Sequence, residues 1–412
     1  MKTFSEFPLS ALLKSNLGRQ GFTEPTPVQA QAIEPALNGK DLVATAQTGT
    51  GKTLAFVLPM IHLLGTQTAR TGVRSMILTP TRELAMQIDE VFSKMSVGTG
   101  IHTAVVVGGV NERTQLTAIR RGAQVLIATP GRLQDFMDRQ LVDLRNVHML
   151  VLDEADRMLD MGFLPAVRRI MAALPADRQT LLFSATIEKS VKHLVETQVP
   201  NAIRIECGST TKPIEQVDLH LYEVEQDRKL GLLHSMLREN DGSFLVFART
   251  KHGADRLSKK LSHEGVKTAV IHGNRSQNQR NMALRGFQDG RYRVLVATDV
   301  AARGIHVEGI SHVVNYDLPQ VPEDFIHRVG RTGRAGARGT ASTFATRAER
   351  SDVAHIERTL TTRLVRQQVS ADIQREVRST APVIVMPTSR PERQMRVRSF
   401  GPRMKARRRF AG

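Results

Sequence analysis

The sequence predicts an α/β chain of two tandem parallel-sheet domains joined by a short linker and followed by a basic tail. Three observations predict it. The chain has 412 residues, enough for two domains of common size and long for one core. Short apolar runs alternate with longer mixed segments. Several of those runs end in small or polar residues, and open parallel sheets place ligands at such strand ends. In the first half the strands fall at Asp41–Thr45, Ser75–Thr79, Thr103–Val107, Gln124–Ala128, Met149–Asp153 and Thr180–Phe183. Glu206 to Glu215 is polar with a proline and reads as a linker. The expected divisions are therefore 1–205, a linker at 206–215, and 216–350. The second series of strands is Val217–Tyr222, Ser243–Phe247, Lys267–Ile271, Arg293–Ala297, His312–Asn315 and Ala341–Phe344. Residues 351–412 read as one helix, Val353–Val369, and then a disordered basic tail. Arg390 to Arg409 carries nine Lys and Arg against the single acid Glu392, a composition that binds phosphate without sequence choice.

Composition narrows the partner. Lys plus Arg is 58 and Asp plus Glu is 40, so the net charge of +18 points to a polyanion. There is no tryptophan and only three tyrosines, which leaves few surfaces for base stacking and favours contact along a phosphate backbone. Cys207 is the only cysteine, so neither an internal disulfide nor a cysteine-based zinc site is expected, and a cytoplasmic location fits. Met1–Gly18 has no long apolar run or small-residue cleavage signal. No stretch reaches 18 uncharged apolar residues, so no membrane span is expected.

Ala46-Gln47-Thr48-Gly49-Thr50-Gly51-Lys52-Thr53 follows a predicted strand and precedes a predicted helix, Leu54–Leu64. It meets the phosphate-loop pattern except at its first position, where Ala46 stands for glycine. Gly49 and Gly51 let the backbone curl its N–H groups toward a phosphate. Lys52 can then neutralise the β- and γ-phosphates of ATP, and Thr53 can ligate Mg²⁺. Val151-Leu152-Asp153-Glu154-Ala155-Asp156 delivers two adjacent carboxylates from a strand end. Asp153 fits a metal ligand, and Glu154 fits a general base holding water toward the γ-phosphate. In the other half, His327-Arg328-Val329-Gly330-Arg331-Thr332-Gly333-Arg334 offers Arg331 and Arg334 three residues apart, able to share a helical face. They read as arginine fingers supplied when the domains close, or as a basic patch facing nucleic acid.

With these motifs in order, residues 4 to 350 resemble the DEAD-box RNA helicase family, and within it the bacterial RhlE-type subgroup. The resemblance implies two RecA-like domains. It identifies Gly21 to Gln29 as an adenine-sensing motif, with Phe22, Thr26 and Gln29 at the nucleotide and Phe4 upstream. Gln29 would meet adenine N6 and N7 bidentately. Thr48, Gly49, Thr50 and Gly51 would wrap the phosphates. The resemblance also implies RNA contacts at Pro80, Thr81 and Arg82, at Gly108-Gly109, and at Thr129, Pro130 and Arg132. In the second domain it implies RNA contacts at Gly273, Gln277, Arg280 and Thr298. Asp156, Ser184, Thr186, Asp299, Arg303 and His327 would couple hydrolysis to movement, with the Ser184 and Thr186 hydroxyls bonding toward Asp156. The family's usual Arg-Gly-Leu/Ile-Asp is here Arg303-Gly304-Ile305-His306. His306 stands where an aspartate would meet the ribose, so a changed ATP affinity or pH response is expected.

The implied activity is ATP hydrolysis coupled to local separation of short RNA duplexes, through contacts to the sugar–phosphate backbone. Ribosomal or RNA-decay proteins are implied partners. Three other readings stay open on sequence alone: an ATP-gated clamp or annealing factor, a DNA translocase, and a non-enzymatic RNA-binding module.

Overall fold

Two runs of parallel strands, each fed by helices on both faces, build the chain. The computed structural model describes residues 3–46, 49–66, 72–207, 217–302, 307, 309–333 and 338–376. Helices α1 (Ala11–Arg19) and α2 (Pro27–Leu37) precede strand β1 (Leu42–Ala46). Then come α3 (Lys52–Thr66), β2 (Ser75–Leu78), α4 (Arg82–Met95), β3 (Thr103–Val106), α5 (Glu112–Arg120), β4 (Val125–Ala128) and α6 (Pro130–Asp138). The first half closes with β5 (Met149–Leu152), α7 (Ala155–Asp160), α8 (Leu164–Ala172), β6 (Gln179–Ser184), α9 (Lys189–Gln198) and β7 (Ile203–Cys207).

The second half runs β8 (Val217–Glu223), α10 (Lys229–Glu239), β9 (Phe244–Phe247), α11 (Lys251–His263), β10 (Thr268–Ile271) and α12 (Gln277–Gln288). It continues with β11 (Val294–Ala297), α13 (Asp299–Ala302), β12 (His312–Asn315), α14 (Pro322–Val329), β13 (Gly339–Ala345), α15 (Arg350–Leu360) and β14 (Val365–Gln367).

The first sheet is ordered β3-β4-β2-β5-β6-β1-β7 and the second β10-β11-β9-β12-β13-β8-β14. Renumbered within each half, the two orders are identical. Central strands such as β2, β4, β5, β9 and β11 are buried along their whole length, because helices cover both faces of a parallel sheet. Alternate residues of one strand therefore enter different cores. Ile77 and Val151 pack on one side of the first sheet, and Met76, Leu78, Leu150 and Leu152 on the other.

All twelve predicted strands are present, with ends within two residues of those expected. Two further strands appear at the sheet edges. β7 runs to Cys207, so the expected linker begins inside a strand; residues 208–216 lie outside the described residues. The predicted helix Val353–Val369 is a correction. Helix α15 stops at Leu360, where Thr361 takes a left-handed backbone (φ 53°), and the chain turns into edge strand β14, paired with β8. Val353, Ile356, Leu360 and Leu364 enter the second core, so that fold continues past residue 350.

Candidate active site and nucleic-acid interface

Every strand of the first sheet is parallel, so the loops after them share one edge. The sheet order sorts those loops. The phosphate loop, the Asp153–Glu154 turn and Ser184–Thr186 follow β1, β5 and β6, which lie together. Pro80–Arg82, Gly108-Gly109 and Thr129–Arg132 follow β2, β3 and β4, the other side of the same edge.

Gly49 and Gly51 both hold left-handed backbone (φ 91° and 83°), which glycine alone adopts without strain. At Gly51 an added Cβ would also collide with Gln29 Nε2. Gln29 is buried at the start of α2. Its Oε1 accepts from Thr26 N–H at 2.9 Å and its Nε2 donates to Gly51 O at 2.9 Å. One N–H and one acceptor position remain on that amide, enough for a bidentate partner. Phe22 is 42% exposed nearby in sequence, whereas Phe4 is buried in the core and its N–H donates to Thr23 O. Phe4 is thus a packing residue. Thr48 lies outside the described residues.

Lys52 opens α3. It is buried, and its Nζ makes no hydrogen bond with a described residue. A buried ammonium in that state fits an anionic group such as a phosphate chain. Thr53 follows it on the first helical turn. Burial pushes the Asp153 carboxyl up to about 6 against the pull of Lys52, with Glu154 adding to the rise. Asp153 Oδ1 accepts from the Glu154 N–H at 3.0 Å. A buried carboxylate at a strand end fits Mg²⁺, which takes one or two carboxylates and fills its shell from phosphate and water.

Glu154 takes a left-handed backbone (φ 51°, ψ 53°), costing about 1 kcal/mol for a residue with a Cβ. Burial would raise its carboxyl, but Arg157, Lys52 and Arg331 together hold it down at about 2. Arg157 Nη1 donates to Glu154 Oε2 at 2.8 Å. Arg331 belongs to the other domain, so the two halves meet electrostatically at this carboxylate.

Asp156 is the hub of the next shell. Its Oδ2 accepts from Ala185 N–H at 3.0 Å, Thr186 N–H at 2.8 Å and Thr186 Oγ1 at 3.1 Å. Ser184 Oγ accepts from Asp156 N–H at 3.1 Å and donates to Thr186 O at 2.7 Å. Any shift of the Ser184–Thr186 turn therefore pulls on α7.

In the second domain α14 ends at Val329, so Arg331 sits in the turn beyond it and not on the helix. Arg331 is buried, with Nε donating to His327 O at 3.1 Å. His327 lies beside Arg157 and Arg331; burial, then those two cations, push its ring below the usual histidine range, with Asp156 and Asp324 opposing. Asp299 faces its own domain. Arg328 grips it in a fork, Nε to Oδ1 at 2.5 Å and Nη2 to Oδ2 at 2.7 Å. Arg303, His306 and Arg334 lie outside the described residues.

The expected RNA loops also gather. Thr81 and Thr129 stand at the N-cap positions of α4 and α6, and Thr81 Oγ1 accepts from Leu84 N–H. Helix N-termini of this kind present N–H groups to phosphates. Gly109 has φ 72°, and an added Cβ there would collide with the Arg82 guanidinium. Arg132 is less available than expected: it pairs with Asp135 at 2.5 Å and Glu112 at 3.1 Å and lies over the Phe136 ring. Gln277 and Arg280 reach across the domains. Gln277 Nε2 donates to Glu83 Oε1 at 2.8 Å, and Arg280 Nε lies 2.9 Å from the same oxygen. Gly273 and Thr298 follow β10 and β11 on the corresponding edge of the second sheet.

Comparison with known proteins agrees with this geometry. Residues 26–194 match the DEAD/DEAH box helicase family and residues 228–336 the helicase conserved C-terminal domain. The DEAD-box ATP-dependent RNA helicase CshA of Geobacillus kaustophilus is 39% identical over 371 residues, covering 89% of this chain and 79% of that protein. The chain belongs to the DEAD-box RNA helicase family. Relatives at similar identity are longer. The ATP-dependent RNA helicase CshA of Listeria monocytogenes is 41% identical over 80% of this chain, which spans 64% of its length. Among solved structures, S. cerevisiae Dbp5 bound to RNA and ADP BeF3 superposes with a TM-score of 0.79 at 32% identity, covering 89% of this chain and 96% of that one.

Three residues of this DEAD-box chain carry contacts that its sequence did not announce. Arg157 neutralises Glu154 from one helical turn on, and its place directly after Asp156 was the available signal. Glu83 receives two side chains from the second domain. Arg328 is 2% exposed and saturated by Asp299, Asn315 and the Asp317 carbonyl. No helix among the described residues is long and apolar enough to cross a membrane.

Proposed function

We propose that the chain is an RNA-dependent ATPase that remodels RNA by closing its two domains around ATP and a single strand. One observation carries this reading: the Glu154 carboxylate is held down by Lys52 and Arg157 of one domain and Arg331 of the other. A triphosphate beside Glu154 would complete a site whose charges come from both halves. Gln29 reads the adenine and Phe22 covers it. Lys52 and the Gly49–Gly51 amides hold the phosphates. Asp153 and Thr53 would hold Mg²⁺, which would offset the charge of the phosphate oxygens. Arg331, with Arg334, meets the charge that develops on transfer.

With Arg157, Lys52 and Arg331 holding its carboxyl low, Glu154 serves chiefly by orienting the attacking water. That suffices for phosphoryl transfer, where little bond formation precedes the transition state. RNA lies along the Arg82, Gly109 and Thr129 loops and across to Gly273 and Thr298, with no base read. Because Gln277 and Arg280 seat on Glu83, between the strand-gripping loops, gripping RNA and closing the cleft are one motion. Within the family we place the chain in the RhlE-type subgroup, on the motif resemblance, as a cytoplasmic protein.

Glu154→Gln tests the reading. ATP turnover should fall by about 10²–10⁴, while ATP still makes the protein retain RNA. Wild-type turnover, or a folded variant that cannot hold RNA with ATP, would sink it. Strand displacement by the wild type then separates unwinding from clamping, and matched DNA separates an RNA enzyme from a DNA translocase.

A further inference from the structure

Helix α5 presents basic side chains that the site above does not use. Arg113, Thr117 and Arg120 are exposed and spaced at four and three residues, so they share one helical face. With Asn111, Glu112 and Leu116 they line a surface cavity of about 610 Å³. The only carboxylate in it, Glu112, is already engaged by Arg132 at 3.1 Å and Arg139 at 2.6 Å. Neither Arg113 nor Arg120 forms an ion pair with a described residue.

This face is fixed relative to the strand-end loops. Gln115, buried on the opposite side of α5, accepts from Val107 N–H at 3.0 Å and donates to Val107 O at 3.1 Å and Val110 O at 3.0 Å. Its amide therefore brackets Gly108-Gly109. Glu112 ties the start of α5 to α6 through Arg132, and Gly109 lies against Arg82. The helix is a rigid continuation of the loops after β2, β3 and β4.

We infer that the Arg113–Thr117–Arg120 face binds the phosphate backbone of RNA beyond the stretch gripped by those loops, where the strand continues into a duplex. The inference rests on the RNA reading of the loops themselves. Guanidinium forks match phosphate oxygens, while the Thr117 hydroxyl, which donates to Arg113 O at 2.7 Å, leaves a small polar surface between them. At 1.5 Å rise per residue the two arginines stand about 10 Å apart along the axis, so they reach different phosphates. The contact carries no base code and serves to anchor the duplex while the gripped strand is bent.

The test compares the full chain with an Arg113→Ala/Arg120→Ala double variant, both with AMP-PNP, on two RNAs: a short single strand, and the same strand continued into a duplex. Affinity is measured over a salt series. On the extended RNA the variant should bind on the order of tenfold more weakly, and its log–log salt slope should be shallower by about 1.8, at ~0.9 per lost contact. Affinity for the short strand and turnover at saturating RNA should stay at wild-type values, and Arg113→Lys/Arg120→Lys should restore the slope. Unchanged binding of the extended RNA, or an equal loss on both RNAs, overturns the assignment. Absence of RNA-stimulated turnover in the wild type would instead remove the function proposed above, which this binding comparison does not touch.

Discussion

Lys52 and Lys229 occupy the same place in the two domains and have opposite fates. Each is the first residue of the helix after the equivalent strand, α3 after β1 and α10 after β8, in sheets of identical order. Both are buried. Lys52 makes no hydrogen bond with a described residue. Lys229 donates to Tyr316 O at 3.0 Å and lies 3.8 Å from both Asp317 and Glu349. The acids come from counterpart strand ends, Asp153 one residue after β5 and Asp317 two residues after β12. The second domain has thus filled the equivalent position with internal partners, whereas Lys52 keeps its ammonium without a hydrogen bond to a described residue. One scaffold used twice is consistent with a nucleotide bound at one copy, as proposed above.

The largest expected effect breaks the first copy. Lys52→Ala should reduce ATP turnover to background, a loss beyond about 10³ in phosphate release, in a chain that still folds but melts somewhat earlier, because the ammonium offsets the buried Asp153 and Glu154. The next breaks the bridge between copies. Arg331→Ala should lower turnover by about 10³ while nucleotide binding persists, as expected of an arginine finger; equilibrium binding of a fluorescent ATP analogue separates the two. The third inverts the first. Lys229→Ala should cost about 1–3 kcal/mol of stability by leaving the Tyr316 carbonyl without its donor and removing a cation from Asp317 and Glu349, which keep Arg249, read as a lower unfolding midpoint, with turnover per folded molecule near wild type. A Lys229 variant as inactive as the Lys52 variant would end the comparison.

The smallest effect is on pH. His327 lies between Arg157 and Arg331 with its pKa depressed below 6.5, so the closed arrangement favours the neutral ring. The stability it contributes is present above 6.5 and is lost as pH falls through the depressed value. ATP-dependent RNA retention should therefore weaken modestly in mild acid, and His327→Gln should flatten that profile.

What the sequence announced and what it hid divide along a physical line. Strand ends, the phosphate loop and the paired acids are local patterns, and Gly49, Gly51, Lys52, Asp153 and Glu154 fell where their spacing placed them. The bonding of Ser184 and Thr186 to Asp156 was expected only from the family resemblance, since their residues alone read equally as helix caps. Edge strands were missed: Ile203-Arg204-Ile205-Glu206-Cys207 does carry the alternation of a half-buried strand, but it runs into the polar stretch read as a linker, and β14 has only three residues, with Val365 and Arg366 exposed on opposite faces. The grip of Gln277 and Arg280 on Glu83 spans about half the chain, and no local spacing encodes it. For the same reason Arg328 looked like its neighbour Arg331, although one is consumed within its domain and the other faces the partner domain.

The chain's single cysteine also has a use. Cys207 ends β7, beside Ala46 where β1 leads into the phosphate loop, and is 9% exposed with Gln31 Nε2 donating to its sulfur at 3.3 Å. Burial raises its thiol pKa as well, so reagent must wait for the edge to peel away. The rate of thiol modification is then a stopwatch for fraying at this edge of the first sheet, readable in the native chain without any engineered label, and slowed by any ligand that tightens the adjoining loop.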